Sequence, residues 1–394
     1  MKICFLADTV FNLGGIQRVV SVLASELVTN YDVTILCTNG KYKEKCELYN
    51  LNKKVEVIIN TKLLKKNIFT KIYSKLLRML NEKMRLLNKK KYLVFLTEAY
   101  YPAEIQNRFI KYFNSKDYDV IIGIGGDYGL LLSIIADKLK AKTIGWQHNS
   151  YEAYFETPYR YHWNKDELFK AFIKKLNQYV VLTDHDKTLV DKNFMINSKR
   201  IYNPLSFNSN KKSNCEKKKL ICVGRLVQEQ KGLDLLIRAF YKVSLTHYDW
   251  MLYIVGDGED KDKLNELIKK LSLENKIKIE SSTNNIKEYY LNSSILVSSS
   301  RWEGFGLVIT EAMECGLPVI SFANSGPKEI INKPNENGIL VSCGNVDTLV
   351  EAMIDLIENK DKRKRIAKEA AVRAKDFSVS KIYGEWNIML QNIE

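Results

Sequence analysis

Residues 203–240 read NPLSFNSNKKSNCEKKKLICVGRLVQEQKGLDLLIRAF. The polar, lysine-rich stretch 203–219 carries no hydrophobic period and reads as a linker. Directly after it an apolar run, LICV, ends in a Gly-Arg turn, and LDLLIRAF then takes up helical spacing. A strand-then-helix pattern restarting after a polar break is what a second α/β domain looks like from its sequence.

The pattern extends both ways. Ahead of the break, KICFLA, DVTILC, VEVIIN, YDVIIGIG, KTIGWQ and QYVVLT are strand candidates separated by helical stretches such as GIQRVVSVLASELVTN. Behind it, WMLYIVGDG, KIKIES, SILVSS and PVISF alternate with DKDKLNELIKKLSL, IKEYYLN and the helices of 347–376, and SVSKIYGEWNIML closes the chain as an amphipathic helix. Strands alternating with helices call for parallel sheets covered on both faces. The expected fold class is therefore α/β: two doubly wound, Rossmann-like domains facing a cleft, with boundaries at 1–203 and 204–377 and the helix 378–394 packing back on the first. Ligands of such sheets bind beyond the strand carboxyl ends.

A chain of 394 residues, 45% hydrophobic, suits two such cores and excludes a disordered protein. No apolar run approaches the ~18–20 residues that span a bilayer, and MKICFLADTVFN reads as a first strand rather than a signal peptide. The seven cysteines (4, 37, 46, 215, 222, 315 and 343) form no CxxC pair and mostly lie in apolar runs, so buried free thiols in the cytoplasm are expected. Net charge is +15, and it is unevenly spread: residues 60–91 alone hold eleven basic residues and one acid. There, Leu63, Leu64, Phe69, Ile72, Leu76, Leu77, Leu80 and Met84 interleave with lysine and arginine, which suits an anionic membrane surface at the inner face of the cell membrane. A solvated helix over the first domain is the plainer alternative. Nothing in the segment reads bases, so nucleic acid is not an expected partner.

Four places carry candidate chemistry. Gly14 and Gly15 follow a strand and open a helix, where backbone N–H groups can approach an anion. Arg225 leaves a strand of the second domain and Lys231 follows just before a helix; together they could clamp a diphosphate. In SSRWEGFGLVITEAMECGLPVISF (299–322), Glu303 lies on a loop with Gly304 and Gly306, and Glu311 falls inside the next helix, so both acids are expected to face the cleft. A carboxylate can accept hydrogen bonds from both hydroxyls of a vicinal diol. His148, after the strand KTIGW, is the one histidine of four placed at a strand end. The acids of DGED and DKDK (257–263) read as a loop and a helix start rather than a metal site.

With Gly14-Gly15 and Arg18, the VGRL…KG segment and EGFGLVITE in place, the chain resembles the family-4 retaining glycosyltransferases of GT-B fold over essentially its whole length. The resemblance implies an acceptor-binding first domain and a nucleotide-sugar-binding second one. It implies that Arg225 and Lys231 hold the donor diphosphate, that Glu311 binds the ribose, that Glu303 contacts the transferred sugar, and that the backbone around Phe305, Gly306 and Leu307 cradles both. It places His148 near the sugar. QEQKG lacks the proline common in that loop. The implied activity is metal-independent, retaining transfer of a hexose or N-acetylhexosamine, with UDP the commonest donor nucleotide, no cofactor, and a lipid-linked or glycan acceptor in cell-surface polysaccharide synthesis. A sugar-nucleotide epimerase of the same two-domain fold is the enzymatic alternative, and a basic nucleic-acid-binding protein the non-enzymatic one.

Overall fold

The computed structural model describes residues 1–12, 14–41 and 49–393. The chain divides into two compact units, Met1–Pro204 with Ile382–Glu394, and Leu205–Lys381.

Among the described residues, the first unit holds a seven-stranded sheet of β1 (Lys2–Ala7), β2 (Asp32–Cys37), β3 (Glu56–Ile59), β4 (Val120–Ile124), β5 (Lys142–Trp146), β6 (Gln178–Val181) and β7 (Lys199–Arg200), in the order β3-β2-β1-β4-β5-β6-β7. Every pairing is parallel, with Ile3 set between Val33 and Val120. Parallel strands are buried on both faces, which is why β4, VIIGI, is apolar without alternation and wholly buried. The helix Gly15–Leu27 turns Val19, Val20, Leu23, Ala24 and Leu27 inward. The C-terminal helix, Val379–Gln391, buries Ile382, Trp386, Met389 and Leu390, and the Trp386 ring meets Trp146 at 4.8 Å and 64°.

The second unit repeats the plan with β8 (Lys219–Val223), β9 (Met251–Val255), β10 (Ile277–Glu280), β11 (Ile295–Ser298), β12 (Val319–Phe322) and β13 (Ile339–Val341), all parallel, in the order β10-β9-β8-β11-β12-β13. Both sheets are doubly wound, and each reverses its strand order once, between β1 and β4 and between β8 and β11.

Two expectations need correction. The polar run after Pro204 is not a loose linker. Ser206 Oγ donates to Glu311 at 2.6 Å, the Ser209 amide to Glu314 at 2.7 Å, Ser213 to the Cys315 carbonyl at 2.8 Å and, through its hydroxyl, to the Ser293 carbonyl at 2.6 Å. Arg363 Nε donates to the Cys215 carbonyl at 2.9 Å. Its serines satisfy backbone and carboxylate groups of the fold, a distinction composition cannot make. The cysteines differ in one member: Cys4, Cys37, Cys215, Cys222 and Cys315 are buried, while Cys343 is exposed. Cys46 lies outside the described residues.

The basic segment forms the helix Ile68–Met84, begun by Asn67, whose side chain accepts from the Thr70 amide at 2.8 Å. Its buried positions are Ser74, Leu77 and Asn81. Its apolar stripe faces outward: Ile68, Phe69, Ile72, Leu76 and Met79 are 68, 82, 64, 49 and 46% exposed. Val94 and Phe95, early in the helix Leu93–Tyr100, are also exposed. No helix among the described residues is long and apolar enough to cross a membrane.

Candidate functional site

In the second unit the switch between β8 and β11 brings two loops together, 224–232 and 299–306. Open α/β sheets bind ligands at such a point. The first loop is built tightly. Gly224 donates to the Val255 carbonyl at 3.1 Å and Leu226 to the Asp257 carbonyl at 2.9 Å. A Cβ on Gly256, which has φ 157°, would lie 1.9 Å from the Gly224 oxygen, so glycine is required where the β8 and β9 loops touch. The short helix Gln228–Lys231 then ends on Gly232, at φ 57°, where a Cβ would meet the Ser299 carbonyl at 2.2 Å.

The second loop is laced to the first. Ser299 Oγ donates to the Lys231 carbonyl at 2.9 Å, and the Arg301 amide to the Gln230 carbonyl at 2.8 Å. The Arg301 guanidinium grips Asp234 through both nitrogens, at 3.0 and 2.8 Å, and donates to the Gln228 carbonyl at 2.7 Å. This fork geometry fixes orientation as well as charge.

The result is a part-buried ion pair. Lys231 Nζ lies 2.5 Å from Glu303 Oε2, with Ser300 Oγ 3.5 Å from the same oxygen. Arg225 is exposed beside them and donates to Gln230 at 3.3 Å. Gly304 is buried, Leu307 opens the helix Leu307–Glu314, and Gly306 precedes it at φ 109°, a left-handed conformation that favours glycine. The Phe305 ring is spent on the core, 5.6 Å from Phe377; only its backbone is left for a ligand.

Glu311 corrects the sequence reading. It is fully buried rather than open, with one carboxylate oxygen accepting from Ser206 Oγ at 2.6 Å and the other from Tyr290 Oη at 3.0 Å. Two hydroxyls on one carboxylate is the arrangement a vicinal diol would make, and Ser206 occupies one of those places.

Asp257 and Asp260 are in a loop and at a helix start. Asp257 accepts from the Ser282 amide at 2.8 Å; Asp260 accepts from the Gln228 amide at 2.8 Å and from Lys263 at 2.7 Å. Asp260 thereby steadies the turn that carries Lys231.

The remaining candidates lie in the first unit. The Gly14 amide already donates to Tyr49 Oη at 2.8 Å, and the Arg18 guanidinium sits 5.4 Å from the Tyr49 ring centre. Gly14 is extended, at φ 179°, a conformation open to any residue. Gly15 is exposed. His148 follows β5, its half-buried ring 4.3 Å from Trp146 and tilted 48° to it, and Trp146 in turn meets Trp386. Burial holds its basicity well below the ordinary histidine range, so the ring is neutral.

Sequence reasoning missed Ser206, Tyr290, Asp234, Arg301 and Tyr49. Arg301 and Asp234 stand inside the motifs that drew attention, but only the fold shows them paired.

Residues 206–373 match the family described as Glycosyl transferases group 1. The chain is 29% identical over 411 residues to the amylovoran biosynthesis glycosyltransferase AmsD of Erwinia amylovora, with 99% of each covered. It is 33% identical over 164 residues, 41% of this chain and 44% of the other, to the N-acetylgalactosamine-N,N'-diacetylbacillosaminyl-diphospho-undecaprenol 4-alpha-N-acetylgalactosaminyltransferase of Campylobacter jejuni. Its fold is similar to that of Anabaena HepE solved in complex with UDP, at a TM-score of 0.74 and 20% identity over 99% of this chain and 100% of that one. The chain has two Rossmann-like units and a fold similar to that of GT-B glycosyltransferases, and the segment that carries the Lys231–Glu303 pair is the one that matches the group 1 glycosyl transferases.

Proposed function

We propose that the chain is a retaining glycosyltransferase that moves a hexose or N-acetylhexosamine from a UDP-sugar to a lipid-linked or glycan acceptor in cell-surface polysaccharide synthesis. The Lys231–Glu303 pair at the β8/β11 switch carries this reading. Lys231 and Arg225 meet the diphosphate, and their preorganised charge stabilises it as it leaves. Glu303 accepts hydrogen bonds from the transferred sugar while the backbone at 304–307 lies along it. Glu311 takes the ribose diol once Ser206 gives way. Gly14, Gly15 and His148 of the first unit remain candidates for the same reaction, His148 with a neutral ring that can take part in a hydrogen bond.

Relatives support the assignment by what they are named for: HepE was solved with UDP, AmsD acts in amylovoran biosynthesis, and the Campylobacter enzyme is named for a diphospho-undecaprenol substrate. The outward apolar stripe of Ile68–Met84, flanked by lysines, supports peripheral docking on an anionic membrane at the cytoplasmic face. A panel of nucleotide sugars, scored for nucleotide release with and without glycan acceptors, tests the reading. The product's anomeric proton signal reports retention or inversion. Release from no member of the panel overturns the assignment.

A further inference from the structure

The first unit has a switch point of its own, between β1 and β4. The helix Gly125–Ile135 leaves β4 there, and Asp127 stands in its first turn with a side chain 71% exposed. An acid in a first helical turn is favoured by the helix dipole alone, so Asp127 by itself means little. The second observation is His162. Its ring is 3% exposed, and its Nδ1 has no hydrogen-bond partner while lying 3.7 Å from Asp127 Oδ1. Buried polar atoms are almost always satisfied, and an orphan calls for an explanation.

The fold holds that ring in place deliberately. A Cβ on Gly126 would lie 2.0 Å from His162 Nε2, so glycine is what lets the imidazole press against the helix. Tyr154 meets it in a T-shaped contact and Phe169 in a tilted one, at 4.6 and 4.9 Å between ring centres. The loop around it carries three non-glycine residues in the left-handed region, Tyr159, Tyr161 and Asn164, at φ 59, 47 and 59°. Such strain persists only where surroundings enforce it, and it concentrates at functional sites. Here Asn81 Nδ2 donates to the Asn164 carbonyl at 2.7 Å and Arg85 Nε to Asn164 Oδ1 at 2.8 Å. Lys165 Nζ is spent on the Tyr161 carbonyl at 3.1 Å, and Tyr101 Oη donates to the Asp127 carbonyl at 2.9 Å.

Resting on the glycosyltransferase reading above, we infer that Asp127 and His162 form an acceptor subsite that takes a sugar hydroxyl group. Once a small shift of the exposed Asp127 side chain uncovers Nδ1, one hydroxyl oxygen about 2.8 Å from each group would span the gap, donating to the carboxylate and pairing with Nδ1. The ring is neutral, because burial pushes its basicity down to about 3. A neutral ring beside an exposed carboxylate suits an uncharged polyol and disfavours a phosphate. Asp127 is thus a specificity-determining residue for the acceptor.

Saturation-transfer NMR with the full chain tests this, using the methyl glycosides of glucose, galactose, N-acetylglucosamine and N-acetylgalactosamine, with UDP as the second probe. At least one glycoside is expected to bind the wild type, with its Kd rising at least tenfold in Asp127→Ala and in His162→Gln, while the Kd for UDP moves less than twofold. Asp127→Asn, which keeps the acceptor oxygen, is expected to fall between. Equal glycoside binding in wild type and Asp127→Ala, or glycoside binding by neither while UDP binds, overturns the subsite. Glycoside binding that depends on Asp127 without any UDP binding keeps the subsite and overturns the donor reading instead.

Discussion

Lys231 Nζ and Glu303 Oε2 are 2.5 Å apart although the residues are 72 positions apart in the chain. Each side chain is about one-sixth exposed, at 15 and 17%, so the pair is screened less than a surface salt bridge and is held by loops that themselves interlock. A charge-assisted bond of this kind contributes about 1.5–3 kcal/mol. On the proposed reading, a diphosphate competing for Lys231 would release Glu303 for the sugar next to it.

The first prediction follows from the difference between the two cations. Lys231 is fixed and part-buried; Arg225 is exposed and loosely held. Lys231→Ala is expected to lower kcat by about 10²–10³-fold, the usual cost of one preorganised charge-stabilising donor, and Arg225→Ala by less. Steady-state kinetics on the preferred donor decides. Equal, small losses in both variants would remove Lys231 from the donor site.

The two acids are expected to separate functionally. Glu311→Ala should weaken UDP binding by roughly 10–100-fold, the equivalent of one charge-assisted hydrogen bond, while Glu303→Ala spares UDP and lowers transfer. Because Ser206 now occupies one oxygen of Glu311, Ser206→Ala should tighten UDP binding severalfold. Calorimetry across the three variants checks this, and weaker UDP binding in Ser206→Ala would show that the serine contributes to the nucleotide site instead of competing for it.

Much of this was legible in the sequence, for identifiable reasons. Doubly buried parallel strands show as unbroken apolar runs, so VIIGI and LICV announced themselves. Arg225 sat at the end of such a run, Lys231 and Glu303 in the stretches that follow, and the fold brings Lys231 and Glu303 together. Glu311 was legible as a functional position but not as a buried one, because its enclosure comes from Ser206 and Tyr290, 105 and 21 residues away. The outward turn of Phe69 and Ile72 was hidden for a related reason: periodicity defines an apolar face without saying which way it points. Here Ser74 and Asn81 take the inner side, Asn81 donating to Asn164.

Acid should destabilise the fold through His162. The unfolded chain takes up this proton near pH 6.5 and the folded chain only near 3, so stability is lost as pH falls below about 6.5. The slope approaches ~1.4 kcal/mol per pH unit. Asp186, raised to about 6 by burial, works the other way, its contribution to stability falling as pH rises from about 4 to 6. The effect is therefore read as a difference: the gap in unfolding free energy between wild type and His162→Gln should narrow steadily from pH 6.5 to 5. A gap independent of pH would mean that His162 is as easily protonated in the folded protein as in the unfolded chain.

Membrane docking has a two-part signature. Ser in place of Phe69, Ile72 and Leu76 removes shallow burial, and Gln in place of Lys62, Lys65, Lys66, Lys71 and Lys75 removes attraction on the order of 1 kcal/mol per charge. Each set should reduce sedimentation with anionic vesicles at least tenfold, the second set also flattening the salt dependence. Unchanged sedimentation in both variants would leave the stripe to another partner.

The nucleotide site proposed at the β8/β11 switch is open to calorimetric titration of UDP into wild type and into the Lys231→Ala/Glu311→Ala double variant. Saturable binding to the wild type is expected with Kd below about 1 mM, corresponding to more than ~4 kcal/mol, with a loss of at least 100-fold in the double variant. No saturable heat with the folded wild type, or equal binding by both proteins, would contradict it.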